Sequence, residues 1–325
     1  MQISREYGLK IRAHHVIRDT EKTMVIHLKT DRGSFFAKCM YVSEERHQFI
    51  LEAEEYLRNR GIHIPKVRLT LSGRPCFVWQ GKLFFLQQEI PGKLYSLKKP
   101  KQIQRVGALL GRIHASSVGF LSSSGMLFNG ALAWEQEYES DLLSMKSWQK
   151  QHARMTKPKI ALIHAYLPFF LRTGSKMQKQ LQQSAFFQRW KGRPEHLHSL
   201  CHGDFHMGNV IVSEDKLNVI DWEDVRYDYP SKDLNRLLMM LMRRQRKWKE
   251  EKCRMLLKAY FKQNPMNKAE KTLLYQDLAF PHIFERFLRQ KLYKQMDYGQ
   301  VMQFLQREQE KTKYMLKQAK ARIPK

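Results

Sequence analysis

Between Cys201 and Glu223 the chain reads as a polar loop, an apolar strand, a tight turn, a second apolar strand, and an acid at that strand's end. The loop is Cys201-His202-Gly203-Asp204-Phe205-His206-Met207-Gly208-Asn209, and the strands are Val210-Ile211-Val212 and Leu217-Asn218-Val219-Ile220. Two short apolar runs joined by the polar residues 213–216 predict a hairpin. A hairpin of this length returns Asp221, at the head of Asp221-Trp222-Glu223, to the end from which Asn209 set out. Asp204 stands just ahead of Asn209, so a carboxylate, an amide and a second carboxylate are expected to converge. Phosphoryl transfer needs that set. One carboxylate orients the attacking hydroxyl and accepts its proton, while an amide and another carboxylate hold Mg²⁺ against phosphates.

The rest of the chain divides around this stretch. Before residue 90 the pattern is mostly strands: 14–18, 23–29, 34–40, 67–71 and 83–89, with Pro75 and Gly81 marking turns around 76–80. One helix is predicted over 43–60, with Phe49, Ala53, Tyr56 and Leu57 at helical spacing, Ser43 as cap and Gly61 as stop. Ile90-Pro91-Gly92 breaks the chain, which places a boundary between 1–90 and 91–325. Beyond it, helices are predicted over 102–116, 135–151, 159–171, 177–189 and 231–246, and the lysine-rich tail after about Lys311 reads as a fraying helix. Ser231 can cap the 231–246 helix, and Asp233 in its first turn suits the helix dipole. The fold class is therefore α+β, with a small β-rich part followed by a large helical part.

With 325 residues, 42% hydrophobic, the chain can bury a substantial core and is not of disordered composition. No run of about 18 apolar residues appears, so no membrane span is expected. The first residues lack an apolar signal core, which predicts a protein made in the cytoplasm. The four cysteines, Cys39, Cys76, Cys201 and Cys253, form no C-x-x-C pair and read as reduced, buried thiols. Charge is the unusual bulk property: 58 Lys+Arg against 31 Asp+Glu leaves +27. Such an excess attracts anions over a Debye length of about 8 Å, and fits a nucleic acid, a phosphorylated ligand, an acidic neighbour, or simply a basic solvated surface. The basic run 243–249 continues into Glu250 and Glu251 as a helix face, and no nucleic-acid-binding signature accompanies it, so nucleic acid is not expected as a partner. His196, His198, Cys201, His202 and His206 are zinc-type ligands, but their spacing matches no common finger.

His202-Gly203-Asp204, Asn209 and Ile220-Asp221-Trp222 together resemble the signature of the aminoglycoside phosphotransferase and choline kinase-like family, relatives of protein kinases. Gly107, Gly111-Arg112-Ile113-His114 and Asp233-Leu234 extend the resemblance along most of the chain, and its overall character is most similar to the spore-coat CotS/CotI-type branch. The resemblance implies a two-lobed protein-kinase-like fold, with residues 1–90 as nucleotide-binding lobe and 91–325 as catalytic and substrate lobe. It implies ATP and Mg²⁺ as cofactors, a small-molecule hydroxyl as acceptor, deposition in the spore coat, and acidic coat proteins as partners. Residue by residue, Asp204 is the implied catalytic base, and Asn209 and Asp221 are the metal ligands. His202 braces the loop and Asp233 holds the loop backbone. Lys38, in Phe35-Phe36-Ala37-Lys38-Cys39, is the implied phosphate-binding lysine, and Gln88, Glu89 and Ile90 form the hinge that receives adenine.

Two features depart from kinase expectation. The loop 18–23 contains no glycine, and the position where a helix glutamate should pair with Lys38 falls near Ile50. Glu54 or Glu52 is the candidate substitute from a neighbouring turn. The acids Glu135, Glu137, Glu139 and Asp141 suggest either a pocket for a cationic acceptor or a solvated helix face. Two readings of the whole stay open: an active small-molecule kinase, and a kinase-shaped structural component of the coat.

Overall fold

A computed structural model describes residues 2–21, 23–125, 128–243 and 245–321. The chain forms two compact units. The first takes Met1–Tyr95, Phe120–Phe128 and Met207–Val225, and the second takes Ser96–Gly119, Asn129–His206 and Arg226–Lys325.

The first unit is built on an antiparallel sheet. Ile11–Asp19, Thr23–Thr30, Gly33–Met40 and Lys82–Gln88 lie side by side in that order, and Val67–Arg68 and Phe77–Trp79 both pair with Lys82–Gln88. Phe35, Ala37 and Cys39 alternate into a core with Leu28, Phe77, Phe84 and Leu86, as the period of two requires. The helix Glu44–Arg58 starts at Ser43, whose hydroxyl accepts from the Arg46 N–H, and it buries Phe49, Ile50, Ala53 and Leu57. Ile50 is thus a core residue. A smaller sheet joins Lys216–Val219, Val210–Ser213 and Lys93–Leu94. Its hairpin turns through Glu214 and Asp215, both at positive φ (47° and 61°), the backbone handedness that matches strand twist in a two-residue turn.

The second unit is helical, with one two-residue ladder, Leu200–Cys201 against Arg226–Tyr227. Its helices are Pro100–Ser117, Trp134–Gln151, Pro158–Gln182, Ala185–Lys191, Ser231–Met242, Glu250–Gln263, Lys268–Ala279, His282–Arg289 and Tyr298–Lys320. Pro100–Ser117 buries Ile103, Val106, Leu109, Leu110 and Ile113 on one side. Its two glycines let Glu250–Gln263 approach closely: a methyl group on Gly107 would lie 2.6 Å from the Leu256 carbonyl oxygen, and one on Gly111 would lie 2.5 Å from that of Tyr260.

The α+β division into a β-rich and a helical part holds. Several elements differ from their expected bounds. The 159–171 and 177–189 segments are not two helices; Pro158–Gln182 runs unbroken through Pro168, and only Ala185–Lys191 follows. Burial of Leu167, Phe170, Thr173 and Gly174 against the unit's interior outweighs the one hydrogen bond that Pro168 removes. The tail does not fray at 311, because Lys311, Thr312, Tyr314, Met315 and Ala319 are buried and the helix persists to Lys320. The 231–246 helix stops at Met242, a short helix Gln2–Tyr7 opens the chain, and Phe77–Trp79 is a strand where only turns were expected.

Candidate active site

In the first unit, Lys38 points from the sheet into a pair of carboxylates. Register sets it opposite Val25 on one side and Phe85 on the other, and the side chain is buried. Its Nζ donates to Asp221 Oδ1 at 2.5 Å and to Glu223 Oε1 at 2.9 Å. Burial alone would lower the lysine pKa, yet Glu223 and Asp221 hold it above the ordinary value, so it stays charged. The two carboxylates are 31% and 28% exposed, so one side of the cluster meets solvent. Asp221 has φ +62°, a left-handed conformation rare for a residue with a side chain and frequent where strain serves function. The hairpin delivers it there. Ile220 N–H donates to the Asn209 carbonyl at 3.0 Å, which ties the two ends together, and the Trp222 indole N–H is satisfied by Val219 O at 3.1 Å. Asn209 is buried at the hairpin's start. Arg46, on the helix, donates to the Glu223 carbonyl at 2.6 Å, which secures the far side.

Neither candidate helix glutamate is the direct partner of Lys38. Glu52 bonds Ser122 and Ser123, and Glu54 accepts from Gln87 Nε2 at 3.2 Å and lies 3.4 Å from Arg58. Glu223 takes that place instead, because the helix register puts Ile50 in the core. Burial raises the Glu54 carboxyl to about 7 against the opposing pull of Arg58 and Lys38. Of the three expected hinge residues, Gln88 closes its strand with its N–H on Lys66 O at 2.9 Å. Glu89 donates its N–H to Ser34 O at 3.0 Å and offers its carboxylate to His27 at 3.0 Å. Ile90 follows, partly buried.

In the second unit, Asp233 is a fully buried hub. It accepts from the His202 N–H at 2.7 Å, the Gly203 N–H at 3.0 Å and His114 Nε2 at 3.1 Å, while His114 Nδ1 meets the Tyr260 hydroxyl at 2.9 Å. Burial would raise the Asp233 pKa, but His114 and the loop N–H groups hold it below the ordinary aspartate value. Asp204 follows on the loop braced this way. Its N–H reaches His202 Nδ1 at 3.3 Å, and its carboxylate pairs with the Arg236 guanidinium and lies 3.5 Å from His206 Nε2. Of the crowded histidines and Cys201, among the described residues only Cys201 joins a group of three ligand-type side chains, with His114 and Asp233. Its thiol donates to Tyr229 O and burial raises its pKa well above normal, so it stays neutral. The acidic row is compensated: Glu135 pairs with Lys191, Glu137 with Lys232 and Asp141 with His282, and Glu139 alone is simply exposed.

The family profile described as "Phosphotransferase enzyme family" matches residues 23–265, which covers both the Lys38 strand and the Asp204–Asp221 segment. The chain belongs to this phosphotransferase family. It is 24% identical to spore coat protein S of Bacillus subtilis (strain 168) over 273 residues, 81% of this chain and 77% of that protein. Its fold is similar to an aminoglycoside phosphotransferase from Alicyclobacillus acidocaldarius subsp. acidocaldarius DSM 446, with TM-score 0.78, 15% identity, and 98% and 95% of the two chains covered. It is also similar to the amicoumacin kinase hAmiN in complex with AMP-PNP, Ca2+ and Ami, with TM-score 0.65, 16% identity, and 95% and 91% covered.

Sequence reasoning within this phosphotransferase chain missed Glu223 and Arg236. Glu223 sits directly after Asp221-Trp222, as a second acid at the end of the same hairpin. That closeness in sequence was the available signal. Arg236 lies three residues beyond Asp233 on the same helix, and nothing in its local pattern announced a carboxylate partner five residues before Asn209.

Proposed function

We propose that this chain is an ATP- and Mg²⁺-dependent phosphotransferase that acts on a hydroxyl of a small molecule, is synthesised in the cytoplasm and is deposited in the spore coat. The observation that carries this reading is Lys38, held charged by Asp221 and Glu223 at 2.5 and 2.9 Å, with Asp221 in a left-handed backbone state. A buried lysine beside partly exposed carboxylates is suited to exchange its partners for phosphate oxygens.

Oxygen donors from Asn209, Asp221 and Glu223 fit a hard divalent cation, and these residues would hold Mg²⁺. When bound, the ion supplies charge neutralisation on the phosphates. Lys38 binds phosphate. The Gln88 and Glu89 N–H groups are engaged inside the unit, so Ile90 N–H and the hinge carbonyls are the groups offered to adenine. Residues 1–90 serve as the nucleotide-binding lobe and 91–325 as the catalytic and substrate lobe. Asp204 is the base: Arg236 and His206 keep its carboxylate oriented, and it accepts the proton of the acceptor hydroxyl. Asp233, through His202 and Gly203, fixes the loop that carries it. The kinship with spore coat protein S supports a coat location.

The test is transfer of labelled phosphate from Mg·ATP to a panel of hydroxylated metabolites. The wild type should label at least one acceptor, and Asp204→Ala should transfer about 10²–10⁴ times more slowly with an unchanged melting temperature. Equal rates in both proteins would remove Asp204 from the reaction, and no transfer to any acceptor would leave a kinase-shaped coat component.

A further inference from the structure

The helix Glu44–Arg58 reaches the Lys38 cluster through a cation rather than a carboxylate. Arg46, in its first turn, donates to the Glu223 carbonyl oxygen at 2.6 Å, and the Glu223 carboxylate takes the Lys38 ammonium at 2.9 Å. A long side chain that ends on a backbone oxygen holds it in place to the extent that its own rotamers are restricted. The restriction on Arg46 comes from a distant part of the sequence. Phe120–Phe128 belongs to the first unit, although its neighbours on both sides belong to the second.

The described residues of this segment are fastened to the helix at two places. At the polar one, Glu52 accepts from the Ser122 hydroxyl at 2.6 Å, from the Ser123 N–H at 3.0 Å and from the Ser123 hydroxyl, and Gln48 donates to Ser123 Oγ at 2.7 Å. Burial would raise the Glu52 pKa, but these serine donors and Gln48 hold it below the ordinary glutamate value, so the carboxylate stays charged. At the aromatic one, Phe120 and Phe128 meet the Phe49 ring edge-on, with centroids 5.5 and 4.9 Å away. The two differ in what else they touch. Phe120 is fully buried and packs on Tyr56 at 5.2 Å. Phe128 is only half-buried, and its ring centroid lies 4.7 Å from the Arg46 guanidinium carbon, nearer than the Phe49 centroid at 5.5 Å.

We propose that Phe128 is a positioning residue for the Lys38–Asp221–Glu223 cluster: its ring fixes the Arg46 guanidinium, and Arg46 fixes Glu223 where it pairs with Lys38. The consequence for nucleotide binding rests on that cluster being the place for phosphate; the geometry of the cluster does not. An aromatic face beside an arginine is worth a factor of about 2–30 in an equilibrium, more as water is excluded. Without the face, Arg46 regains rotamers that leave the Glu223 carbonyl, and the carboxylate two bonds further along the residue loses its fixed seat beside Lys38. Glu52 and the serines keep the segment in register with the helix, so the ring stays under the guanidinium.

The experiment measures the Kd of the full chain for Mg·ATP. Phe128→Leu, which keeps an apolar side chain and removes the ring, should weaken binding by about 3- to 30-fold, and Phe128→Tyr, which keeps the ring, should stay within about twofold of the wild type. In an Arg46→Met background, Phe128→Leu should add less than about twofold, because the ring acts through the guanidinium. Tyr56 carries a pair of the same kind, with the Arg60 guanidinium 3.5 Å from its centroid, but no link to Glu223, so Tyr56→Leu is the control and should change Kd by less than about twofold. An unchanged Kd in Phe128→Leu, an equal loss in Phe128→Tyr or in Tyr56→Leu, or a full further loss on top of Arg46→Met would overturn the proposal. If the wild type itself binds no Mg·ATP, the phosphate-site reading fails separately, and acylation of Lys38 by an amine reagent, followed by peptide mass spectrometry, decides the positioning role. A Lys38 that loses Glu223 is more often neutral, so Phe128→Leu should label at least about threefold faster than the wild type and Phe128→Tyr should not. Equal labelling in all three would then overturn the proposal.

Discussion

Both units set a mostly buried lysine against two carboxylates, but they enclose the pair differently. In the first, Lys38 meets Asp221 and Glu223, each about a third exposed (31% and 28%). In the second, Lys232 meets Glu137 and the completely buried Asp277, whose oxygens also accept from Tyr138 at 2.6 Å, Ser231 at 2.5 Å and His282 at 3.2 Å. A carboxylate with every lone pair taken by buried donors is fixed in place, and breaking its bonds costs much. One that faces water on one side can change partners cheaply. The contrast separates a scaffold from the proposed site: Asp277 and Asp233 hold helices and loop together, while Asp221 and Glu223 keep a face open to solvent.

The largest effect should come from the scaffold. Asp277→Ala leaves the mostly buried Lys232 with Glu137 alone and strips partners from Tyr138, Ser231 and His282, so chemical denaturation should show a loss of about 3–5 kcal/mol. Burial would raise the Asp277 pKa, but Lys232 and His282 hold it well below the ordinary aspartate value. Its contribution is therefore present above that value and is lost as pH falls further.

Glu54 gives the opposite pH sign. Burial raises it from 4.5 to about 7, so the unfolded carboxyl ionises first and the wild type loses stability through this group as pH rises across that window. Glu54→Gln removes the loss. The variant should gain on the wild type by about 3 kcal/mol between pH 4.5 and pH 8, read as paired melting curves. His47, lowered by burial to about 4, titrates in the opposite sense in both proteins and cancels from the difference. A gap that stays constant with pH would show that Glu54 is ionised as readily as a surface acid.

A smaller effect is expected where the helices touch. Gly107→Ala places a methyl group 2.6 Å from a backbone oxygen that cannot swing aside, and should cost about 1–3 kcal/mol. The smallest is at the site itself. Lys38→Met leaves two carboxylates already in contact with water, and should change stability by no more than about 1 kcal/mol. A loss as large as that of Asp277→Ala would erase the distinction between the units.

The elements most legible in the sequence were those whose order is local. The 210–213 and 216–219 strands, the turn between them and the acid at the end are one continuous segment, and the pattern alone specified the hairpin. The Lys38 strand was legible because a lone cation in an apolar run needs an anion. The partner was not, because Lys38 and Glu223 are far apart in sequence and meet only through the fold. Helix continuity failed for a similar reason: the reading left a gap at 172–176 between two helices, but Gly174 inside that gap packs on Leu142 and Pro281, contacts that no local window contains. Burial of Lys311 beside Glu308 and Asn235 likewise kept ordered a tail whose composition suggested fraying.

The central claim is that the Lys38–Asp221–Glu223 cluster is a place for a metal-bound triphosphate, and Mg·ATP binding tests it most directly. In thermal-shift or calorimetric titration, the wild type should gain about 2.7 kcal/mol at a hundredfold excess over Kd, with a much smaller gain from ATP in the absence of Mg²⁺. Lys38→Met and Asp221→Ala should each keep the fold and lose most of that gain. A wild type that shows no stabilisation at millimolar Mg·ATP, or variants that bind as it does, would contradict the claim.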